Sequence, residues 1–241
     1  MPQEKARFEK SEDNKMKLPK IKKCLESRML GNLHVRFGVG VGVQIPGLHH
    51  RIDCNSFPLC RTFDEMMSYL KALKDEKHDY QTLVIDSLDW AEKLVFAHVC
   101  KQFGAKNIEK ADGGYARGYE HALTYWDQMI DAIRPLREEK GMIIILLAHA
   151  KIEKHNDPES AEFDRFSPKL HKKANALWCE WCDAILLATR EFGAAKGEKS
   201  GGKRILRCIP SATCNAKNRY NLPEIMPLEW EPLMKQLIAN N

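Results

Sequence analysis

The spacing of apolar residues predicts helices and strands in alternation. Apolar side chains recur every three or four positions over residues 63–73, 88–99 and 122–133, which is typical of amphipathic helices. Two short runs, TLVI at 82–85 and MIIILLA at 142–148, are apolar throughout or nearly so and rich in branched side chains, so they predict buried strands. This alternation favours an α/β domain with a mainly parallel sheet.

The second half of the chain is polar at first and then returns to apolar segments. Residues 150–170 are polar and contain prolines, which predicts a mobile loop. Residues 171–182 predict a helix, and 183–191 and 204–210 predict two strands. Residues 192–203 between these strands are rich in Gly and Lys, as hairpin tips often are. The pattern therefore predicts a C-terminal β-hairpin.

Charge is distributed unevenly along the 241 residues. Residues 1–36 hold 10 basic and 5 acidic residues, and the remainder holds 28 of each sign. This predicts a basic leader at 1–36, a core domain at 37–232 and a short tail at 233–241. The longest apolar run is too short to span a bilayer, and the N-terminal residues lack the apolar core of a signal peptide. We therefore expect no membrane association and a cytoplasmic location.

Four cysteines leave two interpretations open. Cys179 and Cys182 form the motif CEWC, and Cys208 and Cys214 follow with five residues between them. Four thiolates are a ligand set that zinc accepts. The alternative is that these residues lie at a helix end and in strands, where Cys behaves as a small apolar side chain. The surrounding apolar sequence favours the second interpretation.

Polar residues follow both of the predicted buried strands. Asp86 ends TLVID, and the carboxyl end of a buried strand is where open α/β sheets bind ligands. An Asp in this position holds Mg²⁺ in P-loop ATPases. His149 follows the second strand, where it is placed to sense a γ-phosphate or to orient attacking water. The alternative for His149 is a histidine that only completes hydrogen bonds at a strand end.

Two cations near the C-terminus are spaced for a shared face. Lys217 and Arg219 lie in the segment KNRYNLP, and alternate residues of an extended segment point to the same side. Two cations projecting together suit a phosphate on a neighbouring subunit, as an arginine finger does. The alternative is a solvated edge strand.

The order and spacing of five motifs resemble a known family. The motifs are TLVIDSLDW, GGYARGYEHALTYWDQMI, LLAHAKIEK, KANALWCEWCDAILLA and KNRYNLP, within residues 57–230. Together they are similar to the RecA-like phage nucleotide-binding ATPases, AAA-type phage proteins that include single-strand annealing recombinases related to RadA and RecA. The last motif resembles KNRFG of RadA, with Tyr220 for Phe and Asn221 for Gly.

This resemblance implies a RecA-like P-loop NTPase core that uses ATP and Mg²⁺. It implies single-stranded DNA as a partner in recombination or replication, a homo-oligomeric ring or filament, and a phage-encoded protein in the bacterial cytoplasm. By the resemblance, Asp86 would hold Mg²⁺ and, with Ser87, contribute to nucleotide binding. His149 would be the sensor, and Lys217 and Arg219 would act across the subunit interface.

The resemblance also implies a DNA-binding loop between residues 151 and 173. Six cations in this segment would contact phosphates: Lys151, Lys154, Arg165, Lys169, Lys172 and Lys173. Phe163 and Phe166 would be available for base stacking. The same segment carries five acidic residues, so its surplus of positive charge is small.

The chain departs from the family near its N-terminus. A P-loop needs a Lys for the phosphates and a Ser or Thr hydroxyl for Mg²⁺, but the glycine-rich stretch from Arg36 to Gly47 contains neither. We therefore expect a degenerate P-loop region at 37–56 and very slow ATP hydrolysis or none. The alternative function is a non-catalytic DNA-binding or scaffold subunit with the same fold. A separate hypothesis is that this N-terminal sequence is read out of frame.

Overall fold

The computed structural model of the protein describes residues 57–156, 161–191 and 202–239. The predicted basic leader, the degenerate P-loop region and most of the predicted hairpin tip lie outside these residues. The described helices are α1 (Phe63–Asp75), α2 (Leu88–Gln102), α3 (Arg117–Glu138), α4 (Lys172–Trp181) and α5 (Trp230–Ala239), with a 3₁₀ turn at Ile108–Gly113. The described strands are β1 (Thr82–Asp86), β2 (Ile143–Leu147), β3 (Ala150–His155), β4 (Phe163–Pro168), β5 (Ala184–Ile185), β6 (Leu187–Arg190), β7 (Arg204–Arg207), β8 (Lys217–Asn218) and β9 (Ile225–Pro227).

The first helix begins where its sequence signals a start. The Thr62 hydroxyl accepts a hydrogen bond from the backbone N–H of Glu65 at 3.1 Å, and the Glu65 carboxylate accepts one from the N–H of Arg61 at 2.7 Å. These bonds satisfy amide groups that a helix start leaves unpaired. Gly104 and Gly141 follow α2 and α3 in the left-handed conformation, with φ of 58° and 63°, as residues after helix ends often do.

The two predicted buried strands form a parallel pair. β1 and β2 run from the pair Thr82–Ile143 to the pair Asp86–Leu147, and α2 and α3 connect them. The helices bury a core against this pair, in which Trp126, Val95 and Val99 are fully enclosed. The prediction of these two strands and of the helices between them is therefore confirmed. Both strands end at the same edge of the pair.

The prediction of a mainly parallel sheet is not met in the described residues. Among the named strands there, only β1 and β2 pair in parallel; β3–β4, β5–β8 and β6–β7–β9 are antiparallel. The mixture of helices and strands agrees with the α/β class. The predicted C-terminal hairpin is confirmed by the antiparallel pairing of β6 with β7.

The prediction of a mobile loop over residues 150–170 is wrong. β3 and β4 form an antiparallel hairpin in which Ile152 lies opposite Phe166, and Glu153 lies opposite Arg165. Cross-strand pairs of this kind stabilise a sheet although each strand alone reads as polar. The outer edge of β4 is also paired, because the backbone of Phe166 exchanges hydrogen bonds of 2.9 and 3.0 Å with Thr213 and Asn215.

Candidate functional site

The predicted site residues Asp86 and His149 lie at the same edge of the parallel pair. Asp86 is the last residue of β1 and is paired in register with Leu147, the last residue of β2. His149 lies two residues further along the chain and directly precedes β3. The carboxyl ends of parallel strands are the usual ligand-binding edge of an α/β sheet, so both residues are well placed for a ligand there.

The carboxylate that contacts His149 is Asp89, in the first turn of α2. Oδ1 of Asp89 accepts a hydrogen bond from the His149 backbone N–H at 3.3 Å, and Nδ1 of the imidazole lies 3.1 and 3.0 Å from the two carboxylate oxygens. Only 9% of Asp89 is exposed. Sequence reasoning missed this residue. The available signal was its spacing of three from Asp86, which places it in the first turn of the following helix.

Asp89 is held in its ionised form. Burial raises the pKa of Asp89, but the nearby Ser87 hydroxyl, the hydrogen bonds from His149 and the charge of His149 together outweigh it, so the pKa lies below its ordinary value. The Ser87 hydroxyl is buried against this carboxylate without a hydrogen bond of good geometry. An ionised carboxylate can only accept, so Nδ1 of His149 is the donor of this contact.

Glu92 lies one helical turn further along α2 and contacts the start of α4. Its Oε1 accepts a hydrogen bond from the backbone N–H of His171 at 2.8 Å. Burial raises the pKa of Glu92, although this hydrogen bond and the charge of Lys151 act in the opposite direction. Burial, with the charges of Lys172 and Lys151, lowers the pKa of His171. Neither Glu92 nor His171 was singled out from the sequence.

Two of the six cations predicted to bind DNA are engaged within the protein. Nζ of Lys151 lies 2.9 Å from the Glu153 carboxylate and donates to the carbonyl oxygen of Leu170 at 2.9 Å. Lys173 forms an ion pair with Glu120 on α3. A phosphate would have to compete with these contacts, so Lys151 and Lys173 are better suited to holding the base of the hairpin than to binding DNA.

Three of the other four predicted cations are exposed. Lys154 is exposed and pairs with Glu162 at 3.2 Å, and Lys169 and Lys172 are exposed near the base of the hairpin. Arg165 is half-buried; its Nε donates to the carbonyl oxygen of Ala212 at 3.3 Å. These cations are spread over the hairpin and its base, and they carry the remaining prediction of a DNA-contacting surface.

The two predicted stacking residues lie on opposite faces of the hairpin, because they are three positions apart in one strand. Phe166 is 41% exposed and lies opposite Ile152, which is 62% exposed. The centre of the Phe163 ring lies 5.3 Å from the centre of the His155 ring and 5.3 Å from Cζ of the Arg165 guanidinium. A strand of DNA lying along one face of the hairpin can therefore stack on one of them only.

Lys217 and Arg219 both contact the end of α4 in their own chain. Nζ of Lys217 donates to the carbonyl oxygens of Cys179 at 3.0 Å and Glu180 at 2.7 Å, groups that a helix end leaves unpaired. The Arg219 guanidinium binds the Asp183 carboxylate at 2.9 Å and keeps 59% of its side chain exposed. Of these two predicted interface cations, Arg219 is the more accessible to a second subunit.

The four cysteines considered as zinc ligands have the properties of apolar side chains. Burial raises the pKa of Cys182 to about 12 and that of Cys208 to about 11, which keeps both thiols protonated at neutral pH. Within residues 57–156, 161–191 and 202–239, no group of three or more His, Cys, Asp or Glu side chains is arranged to hold a metal ion. In the same ranges, no helix has the length and apolarity needed to cross a membrane.

An α/β domain with polar residues at the ends of a parallel strand pair belongs to a class of folds that commonly bind nucleotides. Residues 47–220 match a family model described as an AAA domain. This match covers most of the chain, and the protein therefore belongs to the AAA domain family, which has a P-loop fold.

One curated relative is a prophage-derived protein. Over 84 residues the chain is 26% identical to the SPbeta prophage-derived uncharacterized protein YorG of Bacillus subtilis (strain 168). The alignment covers 35% of this chain and 24% of that protein, so the chain matches about a quarter of the relative's length. No solved structure gives a significant match.

Proposed function

We propose that the protein is a phage-type RecA-like ATP-binding protein that acts on single-stranded DNA in recombination or replication. The observation that carries this proposal is the polar cluster at the ends of β1 and β2, where Asp86 ends β1 and Asp89 contacts His149, at the edge where α/β sheets usually bind ligands. Membership of the AAA domain family supports ATP as the ligand, and the prophage-derived relative supports a phage context.

The residues at this edge fit a magnesium–nucleotide complex. In nucleotide sites Mg²⁺ is bound by one or two carboxylates, with phosphate oxygens and waters completing its shell. Asp86 is a half-buried carboxylate at the strand end, and the Ser87 hydroxyl beside it lacks a well-formed hydrogen bond. In our proposal Asp86 holds Mg²⁺, which neutralises phosphate charge when bound. His149 then responds to the terminal phosphate while Asp89 holds its Nδ1.

We propose that ATP is bound but hydrolysed very slowly. Lys and the Mg²⁺-binding hydroxyl supply much of the phosphate stabilisation in P-loop enzymes, and the stretch from Arg36 to Gly47 has neither. This observation also favours the second candidate function, a non-catalytic DNA-binding or scaffold subunit with the same fold. The two candidates differ in whether ATP binds at all.

We further propose that Arg219 acts across a subunit interface of a homo-oligomer, with Lys217 supporting the segment that carries it. Two observations support this role. The Arg219 side chain is exposed, and its ion-pair partner, the Asp183 carboxylate, is a group that a phosphate of the neighbouring subunit can replace. Assembly and nucleotide binding would then be linked, since each stabilises the other. Arg219→Ala should weaken nucleotide-dependent assembly, measured by sedimentation with and without Mg-ATP.

The test of the proposed function is equilibrium binding of Mg-ATP to the full chain, measured by calorimetry. We expect saturable binding that requires Mg²⁺ and is weakened at least about tenfold in Asp86→Asn, the loss typical of a charged contact. Asp127→Asn, which changes an exposed carboxylate on α3, is the matched control and should bind as the unmodified protein does. Absence of ATP binding, with DNA binding intact, would support the non-catalytic subunit instead.

A further inference from the structure

Both ends of the β3–β4 hairpin are hydrogen-bonded to carboxylates of one helix. His149, the residue before β3, donates its backbone N–H to Asp89 at 3.3 Å. His171, three residues after β4, donates its backbone N–H to Glu92 at 2.8 Å. A further bond of 2.7 Å, from the N–H of Lys169 to the carbonyl oxygen of His149, joins the two ends to each other.

The geometry of α2 allows one helix to hold both ends. Asp89 and Glu92 are three residues apart, so they lie on the same face one turn from each other. Asp89 lies in the first turn of the helix, where the backbone favours negative charge, and Glu92 lies in the second. The helix itself begins immediately after Asp86 and Ser87. The base of the hairpin is therefore attached to the element that leaves the proposed nucleotide site.

No metal site in the described part of the chain accounts for the two carboxylates, and the charged partner of Asp89 is His149, the residue at the first hairpin end. Neither of them forms part of an arrangement suited to a metal ion within the described ranges. Glu92 faces Lys151 and lies near Asp89, but the Nζ of Lys151 is hydrogen-bonded to Leu170 and Glu153 instead of to Glu92. Burying a carboxylate, as for Asp89, or half-burying one, as for Glu92, is costly unless hydrogen bonds compensate, and the backbone donors here are the two hairpin ends.

We propose that Asp89 and Glu92 are positioning residues that fix the β3–β4 hairpin relative to the ends of β1 and β2. Asp89 also holds the His149 ring, so it connects the proposed sensor to the first hairpin end. A ligand that displaces this ring disturbs the same carboxylate that holds the hairpin. This inference rests on the proposed function only where it assigns DNA binding to the hairpin.

The test is amide hydrogen exchange in the free protein, with Glu92→Ala, Glu92→Gln and the control Asp127→Ala. Loss of a hydrogen bond to a carboxylate should speed amide exchange in the hairpin and at its ends, residues 149–156 and 161–171, by about tenfold or more. Glu92→Gln keeps an acceptor oxygen and should retain most of the protection. Exchange in residues 122–133 of α3 should not change in any variant.

Two exchange results would overturn the proposal. One is unchanged hairpin exchange in a folded Glu92→Ala protein; the other is an equal acceleration in α3, which would mean that the residue only supports the fold.

DNA binding separates this inference from the proposed function. Affinity for a fluorescent oligothymidine should fall several-fold in Glu92→Ala and recover in Glu92→Gln. If the unmodified protein binds neither ATP nor DNA while the exchange results hold, the proposed function fails and the positioning role stands. If DNA binds equally well to all variants although Glu92→Ala loosens the hairpin, positioning of a DNA-binding element is contradicted.

Discussion

The helical core lies close to the strand-end cluster, which consists of Asp86, Asp89 and His149, but the two regions bury different kinds of side chain. The core between α2 and α3 is apolar and closely packed: Val95, Trp126 and Ile133 are completely enclosed, and the Trp126 ring meets Trp178 edge to face at 5.5 Å. The strand-end cluster instead encloses the Asp89 carboxylate and leaves Asp86 and His149 half-buried. Packing of the first kind stabilises a fold, whereas buried ionisable groups with shifted pKa values are typical of functional sites.

The largest expected effect is a loss of unfolding free energy when a side chain of the helical core is removed. Trp126→Ala removes a fully buried ring and should lower the free energy of unfolding by about 3–5 kcal/mol, measured by urea denaturation. Trp90→Ala on the exposed side of α2 is the matched control and should change it by less than about 1 kcal/mol. Equal losses in the two variants would mean that the enclosed core is not the main source of stability.

A smaller loss of unfolding free energy is expected for a substitution inside the strand-end cluster. Asp89→Ala leaves the His149 amide and ring without their acceptor and should cost about 1–3 kcal/mol at pH 7. Because the folded-state pKa of Asp89 is lowered, its contribution is complete above its unfolded value of 3.8 and is lost as the pH falls through the folded value. Urea denaturation at pH 7 and at successively lower pH should show the difference shrinking. A difference that does not shrink would contradict the ionised carboxylate.

Charge reversal at the base of the hairpin tests the DNA surface. Lys169→Glu with Lys172→Glu should lower affinity for single-stranded DNA about tenfold and reduce the salt slope, because two phosphate contacts contribute about 1.4 to it. Lys74→Glu with Lys235→Glu changes two exposed lysines on α1 and α5 and gives the same change of net charge. Fluorescence anisotropy over a salt series measures both quantities. The same loss in both double variants would show a net-charge effect only.

The smallest expected effect is a gain of stability, in the variant Glu92→Gln. Burial raises the folded-state pKa of Glu92, so the native state binds this proton more tightly than the unfolded state does. The unmodified protein therefore loses stability as the pH rises from the unfolded value of 4.5 through the folded value. Glu92→Gln should remove this loss and be the more stable protein at pH 7, by an amount that grows across that window.

His171 makes the stability depend on pH in the opposite direction. Its folded-state pKa is lowered, so its stability contribution is lost as the pH falls below the unfolded value of 6.5. This contribution is present in both proteins and largely cancels in the difference between them. Asp127→Asn should give a flat difference over the same range. A flat difference for Glu92→Gln would show that burial does not penalise this carboxylate.

Local patterns predicted the elements whose signals are local. The apolar runs gave β1 and β2, the helical spacing of apolar residues over 63–73 gave α1, and the strand end located Asp86. The β3–β4 hairpin was missed because its stabilising pairs, such as Ile152 with Phe166, join residues far apart in sequence. Asp89 was missed for a related reason, since its importance comes from His149, 60 residues away.

The assignment of cations was limited in the same way. The resemblance suggested that Lys151 and Lys173 were available to phosphates, and sequence spacing suggested the same for Lys217, but each has an internal partner provided by another element. A cation's spacing shows which face it occupies, whereas its availability depends on the acceptors brought near it by the fold.

In the proposed function, Mg-ATP binds where β1 and β2 end. Hydrogen-exchange protection measured with and without Mg-ATP tests this most directly, because it locates the ligand without requiring hydrolysis. We predict new protection in residues 82–92 and 143–151, its loss in Asp86→Asn, and no change in residues 122–133. Binding that protects other segments while leaving both strand ends unchanged would contradict the account.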